Sequence, residues 1–450
     1  TKIMNRLLII IVSLMFIPFG WSQQSLSLTE AIMEGLQNNR IMVNAGYDIQ
    51  IARERQWETI ATGLPQISAS AFYNKDLEQR TSIVPGAYFG GTPGEYYPVQ
   101  FGTEQSVDAA ARLDQLIFDG SYLVGLQASS VFLKISRQNK VKSELEVKRL
   151  VTDAYVNVLL AEERKRILEK NLANLEGTLT DVRKVYQQGL VEVEQVEQLE
   201  ITSASIQSAL DYVLRLVPIT HQILNMALGR DLNDNVALTD TLLGLCVKSE
   251  NELISSDWDL EKNIDYQIAQ NNLRSSKLLL KLERFRALPT ISAFVTSGYD
   301  GFNDDFTFFQ KSQQWYDRSA IGLSVTLPIF TSGAGQSRTD QAKLNVAKAQ
   351  TQLEQVEEEL LLEKANAHNQ FTLALEAFLR SQKSLEIAYR IERKNNLKYS
   401  EGVSGSFELR QAQLQLYDLQ NQHLNTMRDI IQSKTELDIL YHSSPEIAKK

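Results

Sequence analysis

The 450-residue chain carries 46 Lys and Arg against 55 Asp and Glu, which gives a formal net charge of −9. This acidity argues against a nucleic-acid partner, because such a partner needs a basic surface that neutralises phosphates. A single cysteine, Cys246, cannot form an internal disulfide and is expected to be a packed small side chain. The four histidines are scattered along the sequence and have no metal-ligand spacing. We therefore expect no metal, no cofactor and no enzyme activity.

The first 22 residues are typical of a secretory signal peptide. Lys2 and Arg6 precede an apolar run, and Gly20 and Ser22 place small residues before a cleavage site after Ser22. The apolar run is shorter than the roughly 20 residues that a membrane-spanning helix needs. The sequence therefore predicts a signal peptide over 1–22 and an exported mature chain.

Residues 23–235 form the first predicted structural unit. Helical patterns cover about 28–62, 121–188 and 193–228, and alternating patterns predict strands at about 65–76 and 104–118. Pro65 marks the change from helix to strand, since proline disfavours helix at the residue before it and is tolerated at the start of a strand. The segment 81–102, rich in Gly, Pro and aromatic residues, indicates a long exposed loop.

Residues 236–450 repeat the same order of elements. "ALPTISAFV" at 287–295 matches "GLPQISASA" at 63–71, and Asn39 aligns with Asn263. Helical patterns cover about 256–287, 336–401 and 405–441, strands are predicted at about 289–300 and 318–330, and 301–317 indicates another exposed loop. We interpret the chain as a tandem duplication whose long helices carry coiled-coil seams.

The four predicted strands alternate strictly between apolar and polar residues. The apolar positions of the last strand are Ile321, Leu323, Val325 and Leu327. This pattern fits a half-buried sheet of a soluble domain or tilted membrane strands, and the continuous apolar faces favour the membrane. Because four strands cannot close a barrel and open edges are not tolerated in lipid, several chains must share one barrel, and three chains would give twelve strands with a passage.

Five motifs in order resemble the TolC-like outer-membrane efflux proteins over nearly all of the mature chain. They are "LSLTEAIMEGLQNNR", "ATGLPQISASA", "YQQGLVEVEQVEQLE", "RALPTISAFV" and "YSEGVSGSFELRQAQ", although the Pro usual after the Asn pair of the first is Arg40 here. The resemblance implies a mainly α-helical homotrimer with a shared twelve-stranded β-barrel and a long α-helical periplasmic tunnel. It also implies outer-membrane lipid, a periplasmic adaptor (membrane fusion) protein and an inner-membrane transporter as partners.

The resemblance also implies site residues near two helix-to-helix turns. Gly189 and Gly402 match the family's turn glycines, which cap helices and would also present adaptor-contacting surfaces. The adaptor-contacting residues would be Gly189, Leu190, Val191, Gly402 and Val403. The periplasmic aperture would be lined by Glu408, Gln411, Tyr399, Glu194 and Glu197.

Three of these aperture assignments keep an alternative. Gln411 stands where the family often has a second acid, which puts a double acidic ring in doubt. Tyr399 is either a latch or an ordinary amphipathic aromatic residue. The run that contains Glu194 and Glu197 is either a solvated face or a pore lining.

The predicted function is a passive exit duct in the outer membrane of a Gram-negative bacterium, with a large periplasmic portion. It would carry substrates from a pump and its adaptor to the exterior. The alternative is a periplasmic coiled-coil scaffold or adaptor with a soluble β-sheet. Drugs, metals and secreted proteins all remain candidate cargo.

Overall fold

The computed structural model describes residues 25–251 and 258–441, so the predicted signal peptide lies outside the described residues. Within them the chain divides into two compact units. The helical unit comprises the residues up to Tyr47, Gln138–Gln267 and those from Val356 onward, and the sheet unit comprises Asp48–Arg137 and Ile268–Gln355.

The elements confirm the predicted mainly helical fold with a smaller sheet portion. In chain order they are β1 (Ser25–Leu26), α1 (Leu28–Asn38), α2 (Arg40–Ala61), β2 (Gln66–Lys75), β3 (Thr81–Pro85), β4 (Tyr96–Gln100), β5 (Gln105–Phe118), α3 (Gly120–Gln187), α4 (Val193–Leu228), β6 (Ala237–Leu238), α5 (Leu242–Asn251), α6 (Ile264–Phe285), β7 (Thr290–Asn303), β8 (Trp315–Thr326), α7 (Ala334–Ser400) and α8 (Ser406–Tyr441). Within residues 25–251 and 258–441, no helix combines the length and the apolarity that crossing a membrane requires.

The sheet unit contains an antiparallel four-stranded sheet in the order β2-β5-β7-β8. Its register aligns the predicted apolar positions across the strands, so that Ile67 pairs with Leu113, Leu113 with Val295 and Val295 with Ile321. Because side chains alternate between faces, these positions share one face of the sheet. β2 and β8 are the edge strands of this sheet.

The predicted bounds of the second strand pair are wrong in detail. β7 continues to Asn303, and β8 begins at Trp315, where Gly301 pairs with Trp315. β8 ends at Thr326, so Leu327 lies beyond the strand to which the sequence assigned it. The last pair is Thr290 with Thr326; the flanking Pro289 and Pro328 have no N–H that could continue the ladder.

Both predicted loops are largely exposed, as predicted, but each contains local structure that the sequence did not predict. The segment 81–102 contains the β3–β4 hairpin, with a short 3₁₀ turn at Gly86–Phe89. In the other loop Phe308 is buried, and its ring lies 5.6 Å from that of Phe306 and 6.4 Å from that of Trp315. Aromatic rings pack together here because they remove apolar surface from water.

The helices predicted over 28–62 and 256–287 are both interrupted at an asparagine. Asn39 separates α1 from α2, and its Oδ1 accepts the Ile41 N–H at 2.8 Å. Asn263 precedes α6, and its Oδ1 accepts the Asp265 N–H at 2.9 Å. Asparagine side chains satisfy backbone N–H groups at helix starts, and this local bond competes with continuous helix.

The core of the helical unit lies around α3, α4, α5, α7 and α8. Tyr155 is fully buried there and donates from its hydroxyl to the Leu26 carbonyl at 2.8 Å, which joins α3 to the parallel β1–β6 pair. Cys246 is also buried, and burial raises the pKa of its thiol to about 12. This confirms its predicted role as a packed small side chain.

Candidate functional site

The turn between α3 and α4 is a glycine-ended helix stop. Gly189 has φ of 73°, a left-handed conformation that glycine adopts without a Cβ clash. Its N–H donates to Tyr186 O at 2.8 Å, and the Leu190 N–H donates to Val185 O at 3.2 Å. These two bonds define a Schellman motif.

The turn between α7 and α8 has the same backbone. Gly402 has φ of 70° and donates to Tyr399 O at 3.0 Å, and the Val403 N–H donates to Lys398 O at 2.9 Å. Leu190 and Val403 therefore occupy equivalent positions, directly after the turn glycine. The sequence predicted both glycine caps, and this geometry confirms them.

The residue after such a glycine usually packs its apolar side chain back onto its own helix. Here Leu190 is 72% exposed and Val403 is 75% exposed, and Val191 between α3 and α4 is only partly buried. Each turn thus presents an aliphatic side chain to its surroundings.

A groove of about 1100 Å³ lies beside the two turns and is lined by α3, α4, α7, α8 and both turns. At one end Ser406 donates from its hydroxyl to Gln195 Oε1 at 2.6 Å, which joins the start of α8 to α4. Gln413 is 4% exposed and lines the groove, and its Oε1 has no hydrogen-bond partner among the described residues. Gln413 was not predicted as a site residue, because a glutamine on a mainly polar helix gives no sign that it is buried.

Tyr399 is the part-buried member of the predicted aperture set. Its ring packs against the apolar cluster of α3 and α4, and burial, followed by the negative charge of Asp181, raises the pKa of its hydroxyl. The other four members, Glu408, Gln411, Glu194 and Glu197, lie in the first turns of α8 and α4 and are exposed.

The acidic run on α4 has some partners within the chain. Glu200 forms an ion pair with Arg183 of α3 at 2.6 Å, and Glu194 accepts the Gln198 amide at 3.1 Å. Glu408 lies beside the turn, since a Cβ added at Gly405 would come within 3.2 Å of its Oε2.

The sheet of the other unit has two chemically different faces. The apolar face is exposed: Ile321 is 82%, Leu323 65% and Val325 60% accessible. Leu327, beyond the strand, is exposed as well.

The opposite face of the sheet carries charges that pair with one another. Arg318 forms ion pairs with both Asp108 and Asp300, and Arg112 bonds Asp114 at 2.9 Å while its guanidinium lies 4.2 Å from the centre of the Phe294 ring. The pattern of alternation predicted polar residues on this face, but it did not predict their cross-strand partners.

Comparison with known proteins supports the resemblance that the motifs indicated. Residues 259–440 match the family model described as outer membrane efflux protein. A search of curated proteins found no match.

Solved outer-membrane channels share the fold at low sequence identity. The CmeC outer membrane channel of Campylobacter jejuni is 17% identical, with a TM-score of 0.73 over 96% of this chain and 92% of that one. The MtrE outer membrane channel of Neisseria gonorrhoeae, in its open state, is 18% identical, with a TM-score of 0.71 over 92% and 88%. The outer membrane protein VceC of Vibrio cholerae is 17% identical, with a TM-score of 0.69 over 92% and 95%.

Proposed function

We propose that this chain is an outer-membrane exit duct of a tripartite efflux or secretion system in a Gram-negative bacterium. It conducts substrates passively from an inner-membrane transporter and a periplasmic adaptor to the exterior. The observation that carries the proposal is the four-stranded sheet, whose apolar face is continuous in register and exposed. The family match over residues 259–440 supports the same function.

The sheet argues for a shared barrel. A four-stranded sheet with two edges cannot sit in lipid, where each unpaired backbone group costs several kcal/mol. β2 and β8 run antiparallel to their neighbours, so β8 of one copy pairs antiparallel with β2 of the next. Three copies close a barrel of twelve strands, and the face with paired charges lines a wet lumen.

The alternative function, a scaffold or adaptor with a soluble sheet, is not favoured. A soluble sheet buries its apolar face against another layer. In this chain Ile321, Leu323 and Val325 are well over half exposed, which suits contact with lipid.

The two halves of the chain are proposed to be copies of one unit, spanning 23–235 and 236–450. Their long helices have 68 and 67 residues, and the helices after the glycine turns have 36 each. Asn39 and Asn263 occupy matching positions and accept equivalent backbone bonds.

The decisive experiment for the duct combines oligomer size with conductance. The detergent-solubilised protein is expected to be a trimer that forms ion-conducting pores in a planar bilayer. Val325→Lys places a charge on the lipid side and should impair insertion by about 2–4 kcal/mol at mid-membrane, whereas Ser324→Lys on the opposite face should insert normally. A monomer without conductance, or equal tolerance of both changes, would contradict the proposal.

The adaptor is proposed to contact the two glycine turns. Leu190→Asp or Val403→Asp should abolish efflux while trimer assembly and conductance stay intact, because both side chains are largely exposed and support no core. Leu397→Asp is the matched control, since Leu397 is 62% exposed on α7 outside the turns. Wild-type efflux in both turn variants would exclude the turns as the docking surface.

The periplasmic aperture is proposed to be lined by Glu408, with Gln411, Tyr399, Glu194 and Glu197 close to it. Three copies of Glu408 form an acidic ring that favours cations through focusing of the field. In single-channel recordings Glu408→Gln should lower cation selectivity, and Gln411→Asp should raise it. Unchanged selectivity in Glu408→Gln would show that Glu408 does not line the aperture.

A further inference from the structure

Polar contacts join α3 to α8 within the helical unit. α3 belongs to the first proposed repeat and α8 to the second, so this contact lies between the two repeats. Three of its pairs are Arg164 donating to Asn425 at 3.3 Å, Gln432 donating to Asp153 at 3.0 Å, and Arg149 in an ion pair with Glu436 at 3.7 Å.

One constant interval relates the helices of the two proposed repeats. Gly402 lies 213 residues after Gly189, and the same interval separates the first and the last residues of α4 (Val193–Leu228) and α8 (Ser406–Tyr441). The interval makes α7 the counterpart of α3 and α8 the counterpart of α4. The contact between α3 and α8 therefore has a counterpart contact between α7 and α4.

The side of α4 that this counterpart contact would use is exposed and apolar. Its residues at the positions of Asn425, Gln432 and Glu436 are Tyr212, Ile219 and Ile223, and all three are exposed. They are seven and four residues apart, which places them on one face of the helix.

The matching side of α7 is also exposed. Leu362 occupies the position of Arg149 and is 71% exposed. Leu160 of α3 is buried, whereas Leu373 at the matching position of α7 is 53% exposed. Because these residues of α4 and α7 are all exposed in the single chain, the two faces do not cover each other within it.

We infer that α4 of one copy packs against α7 of the next copy in the register of the internal α3–α8 contact. Ile223 of one copy then meets Leu362 of the next, and aliphatic side chains take the place of the internal ion pair. The contact joins different surfaces of the two copies, and such contacts generate rings when the rotation closes. The inference rests on the proposed trimer and repeats, and it adds the residues that join the copies.

A transplanted ion pair tests the register. Ile223→Glu alone puts an unpaired charge into the interface and should lower the temperature at which the detergent-solubilised trimer dissociates. Adding Leu362→Arg recreates the internal pair of Arg149 with Glu436 and should recover most of this loss. Leu379→Arg is the matched control, since Leu379 is an exposed leucine of α7 about 25 Å along the helix from Leu362, and it should recover nothing.

Cysteine cross-linking locates the same contact without a buried charge. The native Cys246 is buried and gives little background reaction. Co-assembled Ile223→Cys and Leu362→Cys chains should form a covalent dimer with a short bismaleimide, because each chain carries only one of the two new thiols. Ile223→Cys chains co-assembled with Leu379→Cys chains should not.

The outcomes separate this interface from the proposed duct. A trimer in which Ile223→Glu has no effect, Leu362→Arg recovers nothing or the cross-link fails would overturn the inferred register and leave the duct standing. A monomer without conductance would contradict the duct, and this interface with it. Circular dichroism verifies that every variant is folded.

Discussion

The two helical hairpins of the helical unit are held together by different chemistry in the segments near their turns. The first hairpin, α3 with α4, has an aliphatic seam with heptad-like spacing. Between 168 and 213 it buries one polar residue, Asn171, and nine aliphatic ones, namely Leu168, Leu175, Leu179, Val182, Val196, Leu199, Ile206, Leu210 and Val213. Between 381 and 423 the second hairpin, α7 with α8, buries five polar side chains beside four aliphatic ones, and the polar ones are Ser381, Ser406, Gln413, Gln420 and His423.

The difference predicts unequal stability. Burying an aliphatic side chain contributes about 1.5–3 kcal/mol, whereas a neutral hydrogen bond contributes about 0.5–1.5 kcal/mol net, since water replaces it when it breaks. The contacts of the second hairpin are therefore easier to exchange. We expect α8 to open locally before α4 and the first hairpin to act as the rigid support.

The largest effect is expected from a cavity in the aliphatic seam. Leu175 is fully buried, so Leu175→Ala should lower the free energy of local opening of α3 and α4 by about 2–5 kcal/mol. Native-state hydrogen exchange of the amides on both sides of the seam measures this change. Leu397→Ala, at a position that is 62% exposed on α7, is the control and should change little. Equal losses in both variants would mean that the seam does not carry the stability of the first hairpin.

The next effect comes from the hydrogen bonds between the hairpins. Gln420 accepts the Asn171 amide at 2.8 Å and donates to the Tyr389 hydroxyl at 3.0 Å. Gln420→Leu leaves the buried Asn171 amide without its acceptor and should lower the stability of this region by about 1–3 kcal/mol. The double change Asn171→Leu with Gln420→Leu should recover most of that loss, because both polar partners are then removed. The hydrogen-exchange protection of α8 measures the stability change in the single and in the double variant. A double variant as unstable as the single one would show that the shape of these side chains, rather than their polarity, determines the stability at this position.

A smaller effect is expected at the turns. Ser406 is 7% exposed, and its bond to Gln195 joins the second hairpin to the first. Ser406→Ala should cost about 0.5–1.5 kcal/mol and should speed exchange in the first turns of α8 only. Ser404→Ala is a matched serine change in the same turn. Faster exchange throughout α8 in Ser406→Ala would mean that the start of the helix controls its whole length.

The helices and the faces of the strands can be predicted from the sequence more reliably than the buried polar side chains of the second hairpin. The apolar periodicity of α4 and the alternation of β8 are repeated signals, and each depends on many residues. Gln413 and Gln420 lie seven residues apart on α8, but a glutamine is equally compatible with an exposed position, so its burial is decided by the neighbouring helices. The break at Asn39 and the end of β8 before Leu327 depend on single hydrogen bonds and on the partner strand, which local patterns do not contain.

The two turns illustrate the same limit at the candidate site. The glycines of both turns were predictable, because only a left-handed backbone gives glycine an advantage there. The groove and the Gln413 Oε1, which has no hydrogen-bond partner among the described residues, could not be predicted, since they arise where four helices from distant parts of the sequence meet.

The smallest effect is a pH dependence confined to the second hairpin. His423 is buried, stacks on Phe378 with ring centres 5.6 Å apart and hydrogen-bonds Ser381 through Nδ1 at 2.8 Å. Burial lowers its pKa, so the folded state binds the proton less readily than the unfolded state. The stability that depends on neutral His423 is fully present above the unfolded value of about 6.5 and is lost as pH falls from there through the lower folded pKa.

At pH 6 this loss cannot exceed about 1 kcal/mol, because the unfolded imidazole is itself only partly protonated just below its own pKa. Exchange protection of α8, compared at pH 7.5 and pH 6 after correction for intrinsic rates, should therefore fall slightly, while that of α4 stays constant. His423→Gln should remove the difference, and His221→Gln, on the first hairpin beside Glu162, should retain it. An equal change in exchange protection in α4 and α8 would show that a group other than His423 causes the pH dependence. The buried polar side chains of the second hairpin would then not make its response to pH different from that of the first.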